Sequence, residues 1–109
     1  MTVTHIVMFE FKPELAKSKI EEICANFLSL KNKCVHPETK APYIKFASGG
    51  KQTNPEKMAV YQYGFVMEFE SEEDWKYYLD EDPAHGEFKK GLKDAVEKVG
   101  CFDYQPGVF

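Results

Sequence analysis

The sequence predicts an α+β fold of the split βαβ, ferredoxin-like kind (β-α-β-β-α-β), with an antiparallel sheet carrying its helices on one face. Three observations predict it. The apolar period switches between two and about 3.6 residues in the order strand, helix, strand, strand, broken helix, strand. The opening strand carries apolar side chains on both of its faces, so both need cover. The 109 residues suit a single domain over residues 1–109, with neither an internal repeat nor a linker.

Val3 to Phe11 reads as the first strand, with Val3, His5, Val7, Phe9 and Phe11 on one side and Ile6 and Met8 on the other. Pro13 is placed to pre-set the first turn of a helix. Within that helix Ile20, Ile23, Cys24, Phe27 and Leu30 form one apolar stripe. Lys33 to Pro42 is a polar connection with two prolines. A short strand, Tyr43 to Ala47, is expected to end at Gly49-Gly50, and Asn54-Pro55 marks a turn in the loop that follows.

Met58 to Glu70 reads as the longest strand, with Tyr61, Tyr63, Phe65, Met67 and Phe69 on one side. Ser71-Glu72-Glu73-Asp74 is a capping-box-like start for a short helix through Leu79. Asp82-Pro83 is a second start, with Asp82 as N-cap and Pro83 in the first helical position. The stripe His85, Phe88, Leu92, Ala95/Val96 and Val99 continues that helix, Gly100 closes it, and Cys101 to Gln105 makes the last strand.

The net charge of −4, with lysines dispersed among acids, argues against nucleic acid as a partner. No apolar run approaches the roughly twenty residues of a membrane helix, so no membrane partner is expected. Met1-Thr2-Val3-Thr4 leads straight into a strand, with no signal or transit peptide, which places the chain in the cytoplasm. Cys24, Cys34 and Cys101 are odd in number and widely spaced, as free thiols in a reducing compartment would be. Sixteen aromatic residues (nine Phe, six Tyr, one Trp) exceed what a thin core needs, pointing to a lined pocket or a subunit interface.

Four segments together resemble the stress-responsive A/B-barrel domain proteins, also called dimeric α+β barrels. They are Thr4-His5-Ile6-Val7-Met8-Phe9-Glu10-Phe11, Phe69-Glu70-Ser71-Glu72, Asp82-Pro83-Ala84-His85 with Phe88, and Phe102-Asp103-Tyr104. The loop Cys34-Val35-His36-Pro37-Glu38-Thr39 and the pair Gly49-Gly50 look like those of fungal-type members. The resemblance implies a homodimer packed sheet to sheet, with a cavity in each monomer between sheet and helices. Most members have no assigned reaction. A plant branch contains polyketide cyclases, which close a ring by aldol-type chemistry without a cofactor, using a paired His and Tyr. His85 matches the second histidine of the family's H-P-x-H motif and His5 its strand histidine. Tyr78 lies near the cyclase tyrosine, with one extra residue before His85. Asp82 stands where the motif has its first histidine, and Phe27 where the cyclases have a helix tyrosine.

The candidate catalytic residues are therefore His85, His5 and Tyr78. On its apolar stripe His85 loses water and meets the positive end of a helix, which keeps the ring neutral and able to accept a proton. Its plain alternative is a core histidine whose ring N–H bonds a backbone carbonyl. His5 shares the parity of Val7 and Phe9, hence the same inward face; a polar pair that fixes sheet–helix packing would do the same. Tyr61, Tyr63, Tyr77 and Tyr78 can supply phenol donors, although most such stripes are core. For a metal, His5, His85 and Asp82 are conceivable ligands, but their spacing matches no recognised motif, and His36 sits in a polar loop. No cofactor is implied. Two readings stand: a cofactor-free lyase or cyclase acting on a hydrophobic small molecule, or a non-enzymatic stress-associated protein that binds one or simply assembles. They separate on pocket geometry: a cyclase needs a cavity of several hundred Å³ with His85 and a donor within hydrogen-bonding reach of one point, and a filled interior excludes it.

Overall fold

Alternation at the start of the chain produces a strand, and the i, i+3, i+4 stripe behind it produces a helix. The computed structural model describes residues 1–109. It runs β1 (Val3–Phe11), α1 (Lys17–Lys33), β2 (Ile44–Lys51), β3 (Tyr63–Phe69), α2 (Glu72–Asp80), α3 (Pro83–Leu92) and β4 (Val96–Tyr104). The strands form one antiparallel sheet in the order β2-β3-β1-β4, the ferredoxin-like topology. No helix is long and apolar enough to cross a membrane.

Each inward-pointing residue of β1 from Val3 to Phe11 is buried, as are Phe65, Met67 and Phe69 of β3. Against them α1 lays Ile23, Phe27 and Leu30, the buried part of its expected stripe. Phe27 stacks on Phe65 (centroids 4.5 Å apart) and meets the edge of Phe88 at 5.0 Å, so sheet, α1 and α3 share one aromatic core. Both later helices start as their sequences dictate. The Ser71 hydroxyl accepts from Asp74 N at 3.1 Å, and Asp82 Oδ1 accepts from Ala84 N at 2.9 Å with Pro83 in the first turn.

Four boundaries differ from expectation. Pro13 lies in a turn ahead of α1, which begins only at Lys17. The helix carrying His85 ends at Leu92 instead of reaching Val99, and β4 begins at Val96. Val96 and Val99 fit either period, and strand pairing with Phe11 and Phe9 decides for the sheet. β2 runs through Gly49 and Gly50 to Lys51. A Cβ on Gly49 would fall 2.1 Å from the Phe65 ring, so this glycine lets the ring lie over β2. β3 starts at Tyr63, five residues later than Met58. With the alternation broken there, Tyr61 leaves the inward side: its hydroxyl lies over Gly100, whose strand partner is Met8 of the opposite face.

That opposite face has no layer on it. The molecule is only 18 Å across its short axis, about one sheet plus one layer of helices. Ile6 is flanked by Val66 on β3 and Phe102 on β4; Phe46, Phe102 and Tyr104 are exposed. Val60 reaches the same face from the preceding loop, sharing a hollow with Ile6, Met8 and Val66.

Candidate functional site

Between the sheet and α3 lies a cavity of about 350 Å³ lined mostly by apolar groups, among them Val7, Phe9, Phe27, Phe88 and Leu92. His5 from β1 and His85 from α3 both line it, so two of the three candidate residues converge. It opens between α3 and β4, where Lys89, Lys93, Val99 and Cys101 are exposed. The edge position of β4 leaves this side open.

His85 is buried, and its Nδ1 donates to the backbone carbonyl of Tyr78 at 2.7 Å. A carbonyl can only accept, so Nδ1 carries the proton and a neutral ring has its lone pair on Nε2. Nε2 makes no hydrogen bond within the chain. Burial, the largest cause, holds the ring below the ordinary histidine value, and the Lys89 charge and His5 push the same way. The Tyr78 carbonyl and Asp82 oppose them. The expected direction is therefore found, with desolvation as its main source.

His5 is anchored by a different group. Its Nδ1 bonds the Asp103 carboxylate, and Asp103 Oδ1 also accepts from Trp75 Nε1 at 3.1 Å. Here too Nε2 makes no hydrogen bond within the chain. Asp103 fixes the tautomer and compensates positive charge on the ring when it forms. Neither Asp103 nor Trp75 was among the candidates. The signal was a shared parity, Val99, Cys101 and Asp103 on one strand, hidden because the strand was expected to start at Cys101. Only the register His5↔Asp103 brings the pair together.

Tyr78 is placed differently from the expected donor. It is completely buried and stacks on His85, with its edge toward His5 at 5.7 Å, but it does not line the cavity, and its hydroxyl has no partner. Burial raises the phenol above its ordinary value. Tyr77 faces elsewhere, against Tyr43, and Tyr63 packs on Phe11. His36 accepts from Glu38 N in its own loop. Asp82 is committed to its cap and to the Tyr43 hydroxyl. Burial pushes the Cys34 thiol up to about 12, reinforced by Asp82, and raises Cys24 and Cys101 as well, against a nucleophilic role.

The sequence profile of the stress-responsive A/B barrel domain matches residues 3–106. The chain belongs to that family. A relative within reach of sequence comparison is olivetolic acid cyclase of Cannabis sativa, 30% identical over 106 residues that cover 97% of this chain and 98% of the relative. Among solved structures, hydroxynitrile lyase from Passiflora edulis superposes with a TM-score of 0.83 at 24% identity, over 99% and 96% of the two chains. A Thermobifida fusca protein described as dimeric and ferredoxin-like superposes with a TM-score of 0.75 at 15% identity, over 95% and 90%. At those identities the two superpositions show a shared fold.

Proposed function

We propose that this A/B-barrel chain is a cofactor-free lyase or cyclase acting on a hydrophobic carbonyl compound, and that it works as a cytoplasmic homodimer. The observation that carries the reading is the matched pair of imidazoles. Each is pinned through Nδ1 and each leaves Nε2 free on one apolar cavity. His85, neutral, takes a proton from the carbon next to a carbonyl. His5, held through Nδ1 by Asp103, hydrogen-bonds the carbonyl oxygen from Nε2 when that nitrogen carries a proton, as negative charge builds there. The enolate carbon then bonds to a second carbonyl of the same molecule, and the proton held by His85 passes to the resulting alkoxide. Tyr78 supports His85 from behind and has no direct part.

The cyclase name of a relative at 30% identity supports this class of chemistry. The uncovered face around Ile6, Met8, Val66 and Phe102 supports the dimer, as does the dimeric description of a protein with the same fold. Three free thiols fit a reducing compartment.

Exchange of α-hydrogen for deuterium in an alkyl 1,3-diketone tests the base. The native chain accelerates exchange, and His85→Gln lowers that acceleration by about 10²-fold or more. Equal exchange by both proteins defeats the enzymatic reading. Two observations favour a non-catalytic ligand carrier instead: no phenol enters the cavity, and His85 is bonded as a core histidine would be. A tightly retained small molecule in native mass spectra, without exchange activity, would select that reading.

A further inference from the structure

The cavity is charged at one end and with one sign. Four of its side chains are ionisable besides the Cys101 thiol: His5 and His85 inside, Lys89 and Lys93 at the rim. No carboxylate lines it, although the chain carries 18 acidic residues against 14 basic ones. Lys89 and Lys93 stand four residues apart at the end of α3, so they share a side of the helix. Neither has a carboxylate within 4.0 Å, whereas Lys90, turned away from the cavity, pairs with Glu87 at 3.3 Å. The Lys89 ammonium donates to the Leu79 carbonyl at 3.3 Å, which tethers it across the rim to the end of α2. A helix C-terminus favours cations, but it does not choose the side on which they stand. Like charges at this spacing repel each other, and an anion between them removes the repulsion.

We infer that Lys89 and Lys93 form an anion subsite at the mouth of the cavity, so that its ligand is an amphiphilic carboxylate. The apolar body lies inside against Phe9, Phe27 and Phe88, and the acid group lies between the two ammoniums. This rests on the cavity being the binding site, as proposed above, and adds which end of the ligand faces out.

Octanoate and octanol, which share a chain and differ in charge, are the probes. NMR titration follows their binding through the ring signals of His85. Octanoate binds the native chain more tightly than octanol, and added salt weakens octanoate alone. In the double variant Lys89→Gln/Lys93→Gln octanoate affinity falls about three- to tenfold while octanol stays within about twofold. Both positions are exposed, and the substitutions leave the packed face of α3 untouched. Equal binding of the two probes to the native chain, or an octanoate preference that survives in the variant, overturns the subsite and leaves the cavity as the binding site. Binding of neither probe overturns the cavity reading, and the subsite with it.

Discussion

Tyr78 holds His85 twice: its ring lies flat on the imidazole, centroids 3.8 Å apart and planes 10° from parallel, and its backbone carbonyl accepts the Nδ1 proton at 2.7 Å. One residue thus fixes both the tilt and the tautomer of the candidate base. The seven-residue separation lets this happen because α2 ends between them: the N–H groups of Glu81 and Asp82 both donate to the Tyr77 carbonyl, and α3 then starts afresh at Pro83.

The Tyr78 hydroxyl contributes to neither contact. It is buried without a partner, which costs about 1–3 kcal/mol. Tyr78→Phe keeps the stack and the carbonyl, so the variant should be at least as stable as the native chain in urea unfolding and should keep the diketone exchange activity. A loss of more than about 1 kcal/mol would mean that the hydroxyl does find a partner in solution.

Gly49→Ala and Gly100→Ala make a contrasting pair. At Gly49 the new methyl meets the buried Phe65 ring at 2.1 Å, and that ring is held by Phe27 and Phe9. Overpacking of this kind costs about 1–3 kcal/mol. At Gly100 the obstacle is the hydroxyl end of Tyr61, a half-buried side chain free to swing away. Denaturant midpoints should therefore drop clearly for Gly49→Ala and little for Gly100→Ala. Equal midpoints would contradict the account of why β2 carries a glycine.

The face that Ile6 and Val66 share should be the dimer contact. Only 20 of 109 residues are buried in the isolated chain, a thin core that a second sheet would complete. A stable interface needs about 1,000 Å² or more, within reach of a sheet face that also bears Phe46, Phe102 and Tyr104. Light scattering should give a dimer for the native chain and monomer or aggregate for Val66→Glu. A native chain that stays monomeric at high concentration excludes the arrangement.

The sequence made the fold legible where one period was unambiguous. Val3 to Phe11 keeps its inward groups at every second position and fits no helical period, and Ser71 and Asp82 announce the helices they cap. It misled where a segment satisfied two periods, as Ala95 to Val99 does, or where alternation continued past the paired strand, as at Tyr61. His5 and His85 could be placed on one cavity because each lay on an inward face. Asp103 could not, since its link to His5 depends on strand register, and register is set by contacts between residues 98 apart in the chain. The position of the Tyr78 hydroxyl was equally hidden: a helix stripe says which side is inside, not what lies there.

The last expectation concerns the pH at which His85 gains a proton. Burial lowers its value in the folded chain, and Lys89 adds to the effect. In the unfolded chain the ring returns to about 6.5. Well above that value both states hold the ring neutral, so His85 makes no contribution to the pH dependence of stability. As pH falls through about 6.5 the unfolded chain binds the proton first, and the native state loses stability until the lower folded value is reached. Below it both states are protonated and the loss stops growing. The slope inside that window cannot exceed about 1.4 kcal/mol per pH unit for one group. Urea unfolding of the native chain and of His85→Gln at a series of pH values isolates the term, because His5 and His36 are present in both proteins. The stability of the native chain relative to the variant should fall as pH drops below about 6.5. A difference independent of pH would mean that His85 titrates alike in both states. It would then not be the desolvated base that the proposed chemistry requires.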